Sequence, residues 1–159
     1  MRIGFGYDSH RFAPDRRLVL GGIEFPGEPG LAGHSDADAL VHAIIDALLG
    51  AAALGDIGSH FPDADPRWKD ADSTVLLESV AKEIRGAGYR IANIDATVIC
   101  ERPKLRPCVE LIRERLAAAM SIGKGRISVK GKTNEKLDDV GAGLGIEVHA
   151  VALIEELKS

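Results

Sequence analysis

The chain has 159 residues, 45% of them hydrophobic and 28% charged, with a formal net charge of −4. That size suits one compact domain over 1–159, no apolar run approaches the roughly 18 residues a membrane-spanning helix needs, and the scattered basic residues argue against a nucleic-acid partner. Two cysteines, Cys100 and Cys108, make neither a disulfide framework nor a zinc-finger spacing, and Met1 to Gly6 lack the apolar stretch of a signal peptide, so a reducing cytoplasm is expected.

Ile3, Phe5 and Tyr7 alternate with Gly4, Gly6 and Asp8, which predicts a strand whose apolar face is buried and whose opposite face carries Asp8 and His10. Leu18 to Leu20 and Ile23 to Phe25 flank Gly21-Gly22 as a short hairpin, and Pro26 to Gly33 reads as a loop. Ser35, with Asp38 three residues on, is the expected N-cap of a helix whose apolar stripe is Leu40, Val41, Ile44, Ile45, Leu48 and Leu49. Asp38, His42 and Asp46 recur every four residues and share its polar face. After an irregular stretch from His60 to Pro66, Asp72 or Ser73 caps a second helix with Leu76, Leu77, Val80 and Ile84 inward, stopped by Gly86 and Gly88. Ile91 to Ile99 is strand-like, Pro103 and Pro107 open a third helix, and Ile127 to Lys130 and Ile146 to Ile154 complete the strands. The mixture predicts an α/β chain, a two-layer α+β sandwich with a mixed sheet and helices on one face. The 18 glycines, many beside polar clusters, suggest tight turns and close backbone approach to a ligand.

Residues two apart on a strand have Cα atoms about 6.6 Å apart and parallel side chains. Asp8 and His10 can therefore converge on one ion at bond lengths of about 2.0–2.2 Å, and a third ligand from a helix leaves the fourth position open, as in a catalytic zinc site. His42 is the best third ligand, because Asp38 or Asp46, one turn to either side, could hold its second ring nitrogen. Alone, an Asp-x-His pair at a strand end is ordinarily polar surface and a single helical histidine ordinarily solvated. His60 reads as a loop-surface residue, Lys130 as a solvated strand residue and His149 as structural.

Taken together, Gly4 to His10, Gly33 to Asp38 with His42, Leu54 to Gly58, Phe61 to Pro66, Arg102 to Lys104 and Lys130 to Lys136 resemble the 2-C-methyl-D-erythritol 2,4-cyclodiphosphate synthase family over nearly the whole chain. The resemblance implies an enzyme of the non-mevalonate isoprenoid pathway that closes 4-diphosphocytidyl-2-C-methyl-D-erythritol 2-phosphate to a cyclic diphosphate and releases CMP. It implies Zn2+ or another divalent metal on Asp8, His10 and His42, and Mg2+ or Mn2+ bridging the substrate diphosphate with help from Glu135. His34 and Thr133 then match residues of transition-state stabilisation, with Ser35 beside His34 in the phosphate site, and Ser9 counts among the substrate contacts. Asp56, Ile57, Gly58, Phe61, Asp63 and Asp65 match the stretch that holds the methylerythritol part. Cys100, Pro103, Lys104, Leu105 and Arg106, with Lys132, match the cytidine diphosphate pocket. The family implies a homotrimer with its sheets around a central axis and each active site shared by two subunits.

One segment departs from the family. Asp139 and Ala142 stand where many members carry an aromatic residue and an arginine, the latter holding an isoprenoid diphosphate on the trimer axis. Weak or no binding of such a ligand is expected. The readings to be separated from a cyclodiphosphate synthase are a metal-dependent nucleotide phosphohydrolase and a non-catalytic nucleotide- or metal-binding module.

Overall fold

The computed structural model describes residues 1–62 and 64–157. Strands β1 (Arg2–Leu20) and β2 (Ile23–Leu31) form the hairpin around Gly21-Gly22, both glycines at positive φ. Helix α1 (Ala39–Ala52) follows, then a single turn α2 (Ile57–His60), α3 (Ser73–Gly86), β3 (Tyr89–Ile99), α4 (Val109–Met120), β4 (Ile127–Lys132), the short α5 (Asp138–Gly141) and β5 (Gly145–Glu156). The five strands make one mixed sheet in the order β2-β1-β5-β3-β4, antiparallel except for the β3–β4 pair. Among the described residues no helix is long and apolar enough to cross a membrane.

The core lies between one sheet face and the helices. From the sheet come Leu18, Leu20, Ile94, Val98, Val148 and Ile154, and from the helices Leu40, Ile44, Leu48, Leu77, Ile84, Ile112 and Leu116. With few aromatic residues, this core is filled by interdigitated aliphatic side chains, each contributing roughly 1.5–3 kcal/mol on full burial.

Strand β1 corrects the expected polarity. Ile3, Phe5 and Tyr7 are 72%, 62% and 45% exposed and lie on the open face of the sheet. The inward face carries Gly4 and Gly6, because α1 lies directly on it. A Cβ at Gly4 would stand 2.0 Å from the Ala47 carbonyl oxygen, and one at Gly6 1.9 Å from that of Ala43. These glycines serve helix–strand contact rather than ligand approach. Alternation was read correctly, but residue size could not say which face had room for side chains.

Three boundaries also differ. Pro26 to Leu31 belongs to β2, an edge strand with irregular register, where the missing proline N–H groups leave no gap in a central ladder. Helix α1 starts at Asp38, not Ser35. The Asp38 carboxylate accepts the Val41 N–H at 3.1 Å and also ties the hairpin to the helix by accepting from Gly21 at 2.9 Å and Gly22 at 2.7 Å. Tertiary bonds chose between two good capping residues. Asp72 caps α3 as expected, whereas α4 begins after a 3-10 turn (Arg106–Cys108), leaving Pro103 in the preceding loop.

Candidate metal centre and adjoining pockets

Because Gly6 lets α1 settle onto β1, His42 of the helix reaches Asp8 of the strand. Asp8 Oδ2 lies 2.9 Å from His10 Nε2 and 3.0 Å from His42 Nδ1. One ligand atom from each of the three residues lies within 4.8 Å of the other two, and the side chains are only 13–23% exposed. This set fits a divalent cation of the zinc type. His10 Nδ1 donates to the Ala32 carbonyl at 2.6 Å, which leaves Nε2 as the atom that would face a cation, and two imidazoles with one carboxylate would leave a tetrahedral ion one position for a ligand oxygen.

Electrostatics agree. Burial works to raise the Asp8 carboxyl, but hydrogen bonds and charge from His10 and His42 hold it down at about 2, so it is an anion at neutral pH. Burial disfavours charge on His10, yet the Asp8 contacts raise its pKa on balance. The site prefers positive charge between these groups.

Neither Asp38 nor Asp46 holds the second nitrogen of His42, contrary to expectation. Asp38 is turned into the core, where burial beside Asp36 pushes it up to about 6, and Asp46 accepts the Ile57 N–H at 2.8 Å. The His42 Nε2 atom instead faces the hydroxyls of Ser73 at 2.8 Å and Ser35 at 3.2 Å. Spacing along one helix could not reveal partners from the next helix and the preceding loop.

The three ligands open into a cleft of about 240 Å³ that also takes in His34, Ser35, Ile57, Gly58 and Phe61. Arg16 holds the His34–Ser35 loop by donating to the Gly33 carbonyl at 2.5 Å and to the Ser35 carbonyl. Trp68, which the sequence did not single out, lines the same cleft, as do Asp46, expected only as a partner of His42, and Leu76, expected only in the core. Asp56 caps α2 through Ser59, and Asp65 pairs with Arg67, so both carboxylates are engaged locally. Ser9 turns to a separate groove with Arg11, Asp139 and Val140. Asp63 lies outside the described residues.

A second pocket of about 400 Å³ gathers Cys100, Pro103, Lys104, Leu105, Arg106, Lys132 and Thr133, and among the described residues shares none with the cleft. Thr133 Oγ1 donates to Glu135 Oε1 at 2.6 Å, and Glu135 is exposed at a φ of +50°. Burial pushes the Cys100 thiol up to about 11, which leaves it no nucleophilic thiolate at neutral pH. His60 is not free surface: its ring nitrogens meet the Leu54 carbonyl at 2.9 Å and Glu83 at 3.3 Å. Lys130 is likewise paired, with Asp95 at 2.6 Å.

Fold and site together define an α/β protein with a candidate three-residue cation centre in a cleft and a separate pocket rimmed by basic side chains. The YgbB family model matches residues 1–155, and the chain belongs to that family. Among curated relatives, 2-C-methyl-D-erythritol 2,4-cyclodiphosphate synthase of Gloeobacter violaceus is 57% identical over 98% of this chain and 96% of the relative. The protein of the same name from Moorella thermoacetica is 56% identical over 97% and 94%. Among solved structures, the CDP complex of Plasmodium falciparum IspF superposes with a TM-score of 0.87 at 34% identity, covering 99% of this chain and 97% of that one. The bifunctional IspDF of Campylobacter jejuni gives a TM-score of 0.95 at 36% identity, with this chain spanning 99% of itself but 42% of that longer protein.

Proposed function

We propose that this chain, as one catalytic domain, converts 4-diphosphocytidyl-2-C-methyl-D-erythritol 2-phosphate to 2-C-methyl-D-erythritol 2,4-cyclodiphosphate and CMP in the cytoplasm. The observation that carries the reading is the convergence of Asp8, His10 and His42 beside His34 in a chain more than half identical to synthases of that name. In the reaction a 2-phosphate oxygen bonds to the β-phosphorus, and the bond from that phosphorus to the CMP oxygen breaks. CMP departs with the electron pair, so neither water nor an external base is consumed.

The difficulty is the approach of one anion to another. Divalent cations, zinc on Asp8, His10 and His42 and magnesium or manganese near Glu135, would supply charge that offsets this repulsion. His34 and Ser35 stand at the cleft to donate to phosphoryl oxygens, while Ile57, Gly58 and Phe61 wall the methylerythritol part, with Asp56, Asp63 and Asp65 on the same stretch. Lys104, Arg106 and Lys132 flank the cytidine diphosphate pocket, with Thr133 and Glu135 at its rim. Holding both phosphates in one place removes orientational entropy, worth up to about 7–11 kcal/mol in favourable cases.

Among the described residues the cleft and the nucleotide pocket share no lining residue, and the open sheet face presents Ile3, Phe5, Tyr7 and Val151 to solvent. Both features support a homotrimer packed through that face, in which the pocket of one copy completes the cleft of the next. Incubation with the substrate, zinc and magnesium tests the reading. CMP and cyclic diphosphate in equal amounts are expected; an open-chain bisphosphate would mark a hydrolase, and no CMP a binding module.

A further inference from the structure

We infer that Asp36 and Ser73 are positioning residues for the cation site, which hold His42 in the one tautomer whose Nδ1 is free to coordinate. The purpose of this relay rests on the metal reading above; its geometry stands separately. The Asp36 carboxylate can only accept, and it receives both the Ser73 backbone N–H at 3.0 Å and the Ser73 hydroxyl hydrogen. A serine hydroxyl has one hydrogen, so once that is given to Asp36, only lone pairs remain on Oγ. Those face His42 Nε2 at 2.8 Å, and Nε2 must therefore carry the ring hydrogen. A neutral imidazole has only one, which leaves a lone pair on Nδ1, aimed at the point shared with Asp8 Oδ2.

The mirror arrangement is excluded by the same count. A hydroxyl donating to Nε2 would strip Asp36 of its bond and place a hydrogen on Nδ1, between the ring and Asp8, where the cation belongs. His10 reaches the same end by a different route, since its Nδ1 donates to a main-chain carbonyl, that of Ala32. One imidazole is thus fixed by backbone, and the other by side chains that mutation can remove.

The relay sits behind the cleft, with Ser73 buried and Asp36 half-buried at the edge of a separate groove. Ser73 is fully buried at the first turn of α3, and neither Ser73 nor Asp36 lines the cleft. Asp36 is itself anchored, accepting from the Asp38 N–H at 3.2 Å and donating its own N–H to the Ala71 carbonyl at 3.2 Å. Its place explains how the start of α3 reports on a site made by β1 and α1.

The test uses the full chain as wild type, Ser73→Ala, Asp36→Asn, the double variant and His42→Ala. Zinc affinity is measured by competition with a chromophoric chelator, and the His42 tautomer by two-bond nitrogen–proton spectra of protein with 15N-labelled histidine. Each single variant should bind zinc roughly 10- to 100-fold more weakly, as outer-shell partners of metal histidines do. The double variant should be no worse than the weaker single, because the two groups act in series. The His42 Nε2–H signal should give way to mixed tautomers. Unchanged affinity, or a weakened affinity with His42 still a pure Nε2–H tautomer, overturns the positioning role. Should Asp36→Asn not fold, Ser73→Ala carries the test, since it keeps the backbone bond to Asp36. If wild type binds no zinc, or His42→Ala binds it equally well, the metal reading falls first; a tautomer unmoved in Ser73→Ala then overturns the relay as well.

Discussion

The candidate cation cleft and the pocket proposed for the nucleotide are built on different principles. In the cleft every ligand has a second partner: His10 has the Ala32 carbonyl, His42 has Ser73, and Asp8 Oδ1 accepts the Ser9 N–H at 2.9 Å. The nucleotide pocket is a turn and a strand end, with Lys104, Arg106 and Lys132 exposed around a buried Leu105 and Cys100. The first region is preorganised by the core and tolerates little; the second is shaped by backbone and long side chains that can adapt.

Removing a ligand should break that contrast most sharply. His42→Ala is expected to lower turnover at least about a hundredfold with the melting temperature little changed, because it removes a cation ligand and leaves the α1 stripe intact. An active variant would remove His42 from the site. The next effect is on packing. Gly6→Ala should cost about 1–3 kcal/mol or more in denaturant melts and weaken zinc binding, since its Cβ must push α1 and His42 away from β1. In the other region, Gly131→Ala meets only the Leu105 side chain, its Cβ at 3.4 Å, and should cost under about 1 kcal/mol. Equal costs would erase the distinction between the regions.

Acid sharpens the comparison further. Asp8 drops from its ordinary 3.8 to about 2 in the folded, metal-free protein, a difference worth about 2 kcal/mol. Between those values the unfolded chain binds more protons, so this stabilisation is full above about pH 4 and lost as pH falls toward 2. Metal-free Asp8→Asn should therefore be less stable than wild type at neutral pH, with the gap closing over that window in chemical denaturation. A gap independent of pH would contradict the charge assignment. Smallest of all, Cys100→Ala should keep turnover close to wild type, and Cys100 should resist alkylation at neutral pH; rapid labelling would refute its inertness. Calorimetry with farnesyl diphosphate should likewise show weak or no binding, given Asp139 and Ala142.

The sequence disclosed the convergence of Asp8, His10 and His42 more readily than what supports it. Asp8 and His10 were legible because strand alternation is a two-residue rule, and His42 because it sits on a strongly periodic helix. The relay through Ser73 and Asp36 was not, because it joins positions 37 residues apart through a tertiary contact that no local period encodes. The same cause moved the α1 cap to Asp38, whose carboxylate is claimed by the Gly21-Gly22 hairpin. The inverted face of β1 has another origin. Apolar residues signal burial only where the neighbouring layer leaves room, and here α1 lies too close for anything but glycine, so Phe5 and Tyr7 face outward around His149.

X-ray absorption at the zinc edge of the loaded protein tests the arrangement most directly. Two imidazoles and one carboxylate should give nitrogen and oxygen neighbours at about 2.0–2.2 Å, with the imidazole outer-shell pattern lost by half in His42→Ala. Sulfur at about 2.3 Å, or a shell of oxygens without imidazole, would place the ion elsewhere and contradict the account.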